Sequence, residues 1–359
     1  MFVFANILLK KYIWFIENSM KRFLFCILLV LSALKGYGAK TCLSVFQINI
    51  WNDAAMVPGG FDGLADEIAR LRPDIVLLCE IRNNGSSFIT RMQQALQERK
   101  ANYENGLSEG NVGILSKYAM ERDSLRGLDP ATDGAALKVR IRVGGTETVV
   151  YSAHLDYTHY ACYLPRGYDG VSWEKLGAPV TDAESIEKMN DESLRDEAIG
   201  RIIADAEHEK GHFLILGGDF NEPSRSDWDE RTRHLRDHRG ATVNWICSAL
   251  LDEAGFKDSY RTRYPDPITH PGFTYGIDNP DVSLDKLDWV PEADGRDRID
   301  FIYYRPVSGV KLKDAMVVGP TGYIVRGRRI EERTRDKIVA PSGKWPSDHN
   351  GVLAVFTLR

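Results

Sequence analysis

Apolar and polar positions along the chain fall into short blocks with either a two-residue or a helical period. Residues 42–50 alternate and end at Asn49-Ile50-Trp51-Asn52, the pattern of a half-buried strand. After Pro58-Gly59-Gly60, the residues Phe61, Leu64, Ile68 and Leu71 recur at helical spacing until Pro73. Residues 74–79 form a buried-type strand pattern running into Glu80, and Phe88, Met92 and Leu96 mark a second helix. Residues 111–116 predict another strand. Residues 136–143 and 148–153 predict a hairpin across Gly144-Gly145 that ends in His154-Leu155-Asp156.

Residues 157–181 break this rhythm. Tyr157, His159, Tyr160, Tyr163, Tyr168 and Trp173 crowd a stretch rich in Gly and Pro, which reads as a substrate-contacting loop or as simple packing. Ile186, Met189, Ile199, Ile202, Ile203 and Ala206 predict one long amphipathic helix to about His208. Four apolar residues, 213–216, then predict a buried strand leading into Gly217-Gly218-Asp219-Phe220-Asn221. Positions two apart in an extended chain project to the same side. A carboxylate and a carboxamide therefore emerge together, with Phe220 turned into the core. Residues 225–239 are mixed in charge and predict a solvated surface. Residues 243–254 predict a helix and 298–303 an alternating strand. A further hairpin follows, and Trp345-Pro346-Ser347-Asp348-His349-Asn350 leads into a last strand at 352–358. No internal repeat or low-complexity tract interrupts the pattern. Many strands with few helices predict an α/β domain of two packed sheets with outer helices.

The N-terminus changes the picture. Met20-Lys21-Arg22 is a short basic region, residues 23–34 are almost unbroken apolar, and Gly36-Tyr37-Gly38 supplies small residues for cleavage. Residues 1–38 are thus expected to be a secretory signal peptide with its true start at Met20, and residues 39–359 a single domain. The localisation that follows is secreted or periplasmic. Removing residues 1–38 takes five of the 46 Lys and Arg and one of the 51 Asp and Glu, leaving a formal charge of −9. Such a surface disfavours broad non-specific binding to nucleic acid, although a divalent cation can reverse the field locally. Cys42, Cys79, Cys162 and Cys247 show no Cys-x-x-Cys or Cys/His spacing, which speaks against a zinc site of the usual kind. Cys79 reads as a core residue, and a disulfide among the other three stays open.

Polar groups collect at the predicted strand ends: Asn49, Glu80, His154, Asp156, Asp219, Asn221, Asp300, Asp348 and His349. Carboxylates with carboxamides are hard ligands suited to Mg²⁺ or Mn²⁺, and imidazoles add proton transfer. Gathered in one cleft, they could hydrolyse a phosphate ester. Each has a plainer use alone. Asp156 and Asp300 suit strand caps, Glu80 a surface carboxylate and His154 a hydrogen-bonded core histidine.

The order of Asn49, Glu80, His154 in Ser-Ala-His-Leu-Asp, Gly-Asp-Phe-Asn, Arg-Ile-Asp-Phe-Ile-Tyr and Ser-Asp-His resembles the endonuclease/exonuclease/phosphatase superfamily, the DNase I-like group. The resemblance covers residues 42–359 and implies a four-layer sandwich of two packed β-sheets with outer helices. It also implies Glu80 as principal metal ligand, with Asn49 and Asp348 close to the ion. Asp219 would position or deprotonate the attacking water, Asn221 hold a phosphate oxygen, and His349 contact the scissile phosphate with Asp300 orienting it. His154 matches the second histidine, a general acid or phosphate ligand. The implied activity is that of a secreted, Mg²⁺- or Mn²⁺-dependent, nuclease-like phosphoesterase. It would cleave a phosphodiester or phosphomonoester by in-line attack of water, as a monomer without an obligate protein partner. The substrate stays open between nucleic acid, a phospholipid head group (sphingomyelinase-like) and an inositol or sugar phosphate. A non-catalytic binding protein on the same fold is the reading from another class.

Overall fold

In the computed structural model, which describes residues 40–125 and 135–359, the apolar blocks pair as strands. The expected signal peptide, residues 1–38, lies outside the described residues. In chain order the strands begin with β1 (Thr41–Asn49), β2 (Ile75–Cys79), β3 (Asn105–Glu109), β4 (Val112–Ser116) and β5 (Glu121–Asp123). They continue with β6 (Ala135–Val143), β7 (Thr146–His154), β8 (Phe213–Asp219), β9 (Lys257–Asp258) and β10 (Asp300–Arg305). The last are β11 (Val310–Val318), β12 (Gly322–Val325), β13 (Arg328–Glu331), β14 (Ile338–Val339) and β15 (Gly351–Leu358).

Among the described residues, one sheet runs β14-β11-β15-β1-β2-β4-β3 and a second β5-β6-β7-β8-β10-β9, with β12 and β13 as a separate hairpin. Alternation decides how they stack. Leu43 and Val45 of β1, Ile75 and Leu77 of β2, Val150 of β7, Phe213 and Ile215 of β8 and Ile302 of β10 share one buried cluster between the sheets. The alternate residues face outward. Phe46, Ile48, Val76 and Leu78 pack with apolar residues of the helices Gly60–Leu71 and Phe88–Glu98. Val149, Tyr151, Leu214 and Leu216 pack with those of Arg195–Ala206 and Ile246–Glu253. The result is the expected four layers, helix, sheet, sheet, helix.

The layer between the sheets turns polar at one end. On the parity of Val45 come Gln47 and Asn49, on that of Ile215 come Gly217 and Asp219, and on that of Ile302 comes Asp300. Strand register brings these together: Asn49 opposite Cys79, and Asp219 between His154 and Asp300. Glycine is required where β7 and β8 meet. A Cβ on Gly218 would lie 1.8 Å from the Ala153 carbonyl oxygen.

Some expectations change. The single long helix is two, Ala183–Asn190 and Arg195–Ala206. Asn190 donates to Glu222 Oε2 at 2.7 Å and accepts from Arg195 at 2.8 Å, so buried polar bonds draw the chain out of helix between them. The mixed-charge segment 225–239 is not simply a solvated surface. Asp227, Trp228, Thr232 and His238 are buried, because Asp227 pairs with Arg261 and Arg298 from elements later in the chain. Strand β3 was not expected, since all five of its residues are only half-buried and carry no apolar run. Cys42, Cys79, Cys162 and Cys247 are free thiols.

Candidate active site

At the polar end of the inter-sheet layer, a cavity of about 320 Å³ is lined by Glu80, His154, Asp219, Asn221, Asp348 and His349. Arg82, Ile299 and a set of aromatic rings complete it, chief among them Trp51, Tyr157, Tyr160, Tyr163, Trp173, Tyr275 and Trp289. Six of the eight expected site residues therefore share one cavity. Asn49 and Asp300 do not line it; both are buried directly behind.

Asn49 bridges two carboxylates, its Nδ2 donating to Glu80 Oε1 at 3.0 Å and to Asp219 Oδ2 at 2.9 Å. Its Oδ1 accepts the Trp51 amide at 2.9 Å, so it is braced from both sides. Asp300 holds His349, with Oδ2 2.8 Å from Nδ1, while its Oδ1 accepts from Gln47 Nε2 at 2.9 Å. That leaves His349 Nε2 toward the cavity, 4.0 Å from Asp219 Oδ2. His154 Nε2 approaches the same oxygen at 3.7 Å. Asn221, at φ 52°, takes the left-handed conformation that Asn tolerates. Its amide N–H donates to Asp219 Oδ1 at 2.9 Å and its side chain to the Leu155 carbonyl at 3.0 Å. Below them the Cys79 thiol donates to the Ala153 carbonyl and accepts the Asp219 amide. Burial, reinforced by the Asp219 charge, pushes that thiol up, so it stays protonated and structural.

Electrostatics separates the two histidines. Burial pushes the His349 imidazolium down, but Asp300 and Asp219 together reverse this and leave it well above the usual histidine range. His154 is lowered by burial, which the Asp219 and Glu80 charges offset only in part. One imidazole is thus held cationic and the other neutral. Asp219 is raised, by burial first and by Asp300 next, against the opposing histidines. Burial pushes Asp348 up to about 6, with His349 opposing the rise and Glu80 adding to it.

Two groupings compete as a metal site. Ligand atoms of Asp219, Asp300 and His349 all lie within 4.8 Å of one another. Asp300, however, is fully buried and does not line the cavity, its carboxylate turned to Gln47 and His349. Glu80, Asp219 and Asp348 instead present carboxylates to the cavity, and Arg82 is the one permanent cation among its lining residues. This oxygen-rich, negatively charged set fits a hard divalent cation better.

Strain is concentrated beside the site. Trp51, Asn52, Asp53 and Ala54 all hold φ between 46° and 60°. A left-handed turn of non-glycine residues costs roughly 1–2 kcal/mol per residue. It is pinned by Glu80 Oε2 accepting the Asn52 amide at 3.0 Å and by Asp53 accepting the amides of Arg82 and Asn84 at 2.8 and 2.9 Å. Glu80 itself sits at φ 67°. Its carboxylate is therefore positioned by a rigid, over-determined corner.

Asp156 stands outside the cavity. It accepts from the backbone and hydroxyl of Thr158 and from the Leu194 amide, organising the loop that carries the tyrosines. Arg195, buried, holds the same loop through the carbonyls of Asp156, Thr158 and His159. Sequence reasoning missed Gln47, Arg82, Arg195 and Trp289. Gln47 carried a signal: it is a polar residue two before Asn49, on the buried face of β1. Arg82, Arg195 and Trp289 had none, since only tertiary packing brings them here.

The sequence matches the model of the Endonuclease/Exonuclease/phosphatase family over residues 46–349. It is 27% identical over 343 residues to the uncharacterized protein F14F9.5 of Caenorhabditis elegans, covering 93% of this chain and 98% of that protein. Among solved structures, it is similar to an endonuclease/exonuclease/phosphatase family protein from Bacteroides thetaiotaomicron. That likeness has a TM-score of 0.50 and 16% identity, and covers 89% of this chain and 99% of the other. A likeness with a TM-score of 0.49 and 16% identity joins it to D. rerio TDP2 complexed with single strand DNA product, over 88% of this chain and 98% of that one.

Proposed function

The chain belongs to the endonuclease/exonuclease/phosphatase family of phosphoesterase-type hydrolases, and on that premise we propose that it is an exported, divalent-metal-dependent phosphodiesterase acting by in-line attack of water. The observation that carries this reading is the convergence of Glu80, Asp219, Asn221, Asp348, His154 and His349 on one cavity. Glu80 and Asp348 would hold Mg²⁺ or Mn²⁺, with Asn49 bracing Glu80 from behind. When bound, such an ion supplies neutralising charge to a phosphate oxygen.

The chain's own groups account for the rest. Asp219 is raised above the usual carboxylate range, which makes it a stronger base toward water than an exposed aspartate. Water oxygen bonds to phosphorus as the bond to the leaving oxygen breaks, and the water's proton passes to Asp219. His349, held cationic by Asp300, donates from Nε2 to a non-bridging oxygen as charge builds there. Asn221 steadies the Asp219 carboxylate through its backbone amide and presents its side chain to the same cavity. His154, kept neutral by burial, serves as a hydrogen-bond donor to phosphate more readily than as a proton donor to the leaving group. The leaving oxygen departs as aryloxide or takes its proton from solvent.

The test is hydrolysis of bis(p-nitrophenyl) phosphate after treatment with chelator. Turnover should stop and return on addition of Mg²⁺ or Mn²⁺. Chelator-resistant turnover would end the metal-dependent reading. Export is supported by the basic-apolar-small order of residues 20–38, and N-terminal sequencing of the secreted protein should begin just after Gly38.

A further inference from the structure

Beside the phosphate-handling groups, aromatic rings line much of the cavity. Tyr160 joins the two sets, because its hydroxyl donates to Asn221 Oδ1. Its ring lies 5.3 Å from Trp173, which lies 5.1 Å from Tyr163 and 5.6 Å from Trp289. Three of these residues come from the loop after β7 and the fourth from the segment before β10. The two segments are tied together, since Tyr168 accepts the Glu292 amide and Lys175 pairs with Glu292. Beneath them Tyr163 and Tyr168 are rooted in a buried cluster with Trp228, Trp245 and Val290. A wall fixed in this way loses little entropy when it is covered. Yet Trp289 remains 54% exposed, and Tyr157, which lines the same cavity, 69% exposed.

Resting on the phosphoesterase reading above, we propose that the wall of Tyr160, Tyr163, Trp173 and Trp289 is a substrate subsite for a flat unsaturated ring. The favoured ester then carries a nucleobase-like or aryl ring on the group that stays with phosphorus. Two observations favour this chemistry. Arg82 is the one permanent cation among the lining residues, so a track of several phosphates meets no matching track of charge. Ring stacking must then supply the affinity that cations supply elsewhere. Trp289 also leaves about half of its surface open at the cavity, so it offers apolar ring surface for a flat ring to cover.

The test compares three esters with one leaving group, in Mg²⁺: thymidine 5′-(p-nitrophenyl) phosphate, phenyl p-nitrophenyl phosphate and methyl p-nitrophenyl phosphate. A ring-bearing ester should exceed the methyl ester in kcat/KM by about 10-fold or more. Trp289→Ala and Trp173→Leu should each bring that ratio toward one, mainly through KM, and their thermal melts establish that they fold. Whichever ring ester is faster identifies the nucleoside or the aryl source. Equal kcat/KM for ring and methyl esters, or a ratio that both variants keep, overturns the subsite. So does preference for p-nitrophenyl phosphorylcholine over both ring esters. If wild type hydrolyses none of them, the phosphoesterase reading fails, and the subsite is judged by fluorescence alone. Saturable quenching by thymidine 5′-monophosphate but not by methyl phosphate, lost in Trp289→Ala, supports it; no quenching refutes it.

Discussion

At the scale of single residues, the site depends on groups that never touch the cavity. Gln47 is fully buried and donates to the aspartate that orients His349. Gln47→Leu keeps the volume but leaves a buried carboxylate oxygen without its donor, a loss of about 1.5–3 kcal/mol for a bond to a charged group. The expected outcome is a kcat lowered by roughly 10-fold or more with KM little changed, read by steady-state kinetics beside a thermal melt. Unchanged kcat would mean that Asp300 needs only His349. Gly218 makes a harsher case, since any side chain there meets the Ala153 carbonyl. Gly218→Ala should cost about 3 kcal/mol or more in denaturant unfolding, and a neutral effect would contradict the strand spacing. The sequence displayed much of this scale. Asp219 and Asn221 were legible because they follow a buried strand on its inward parity, and His349 because it stands in Ser-Asp-His just before the last strand, whereas Trp289 and Arg195 were not, because nothing local distinguishes a surface tryptophan or a helical arginine from its many equivalents.

Among elements, the left-handed turn Trp51–Ala54 and the aromatic loop do the positioning. Asp53 accepts the amides of Arg82 and Asn84 and lies 3.5 Å from Arg91. Asp53→Ala should release the turn, lower stability by roughly 2–3 kcal/mol and raise KM as Glu80 loses its fixed corner. A variant with wild-type stability and KM would show that the turn holds itself. The helices Gly60–Leu71 and Phe88–Glu98 and the β6–β7 hairpin followed from periodicity, because each buries one face, whereas half-buried β3 and the break after Asn190 did not. The segment 225–239 misled for a physical reason: Asp227 and Trp228 are buried through partners, Arg261, Arg298 and Trp245, that are distant in sequence. Charge in a sequence signals solvent only when no buried counter-charge awaits it.

For the whole molecule, two sheets and their helices buy the freedom to bury ionisable groups. His238 stacks on Trp228 with ring centroids 3.6 Å apart. Burial, and then the charges of Arg166 and Arg236, push it down to about 2. In the unfolded chain this histidine titrates near 6.5. The unfolded state therefore binds the extra proton first, and stability falls as pH drops from about 6.5 toward 2. His238→Phe should flatten the decline between pH 6 and 4 by about 1.4 kcal/mol per pH unit, measured by urea unfolding. Parallel curves for the two proteins would show His238 to be charged when folded.

The proposed mechanism joins distant strand ends into one hydrolytic centre in which Asp219 receives the proton of water and His349 stabilises the phosphoryl oxygens. It is tested most directly by single-turnover hydrolysis of bis(p-nitrophenyl) phosphate in Mg²⁺ by Asp219→Asn and His349→Ala, each checked for a native circular dichroism spectrum. Losses on the order of 10²–10⁴-fold are expected in both. Wild-type rates in either folded variant would contradict it.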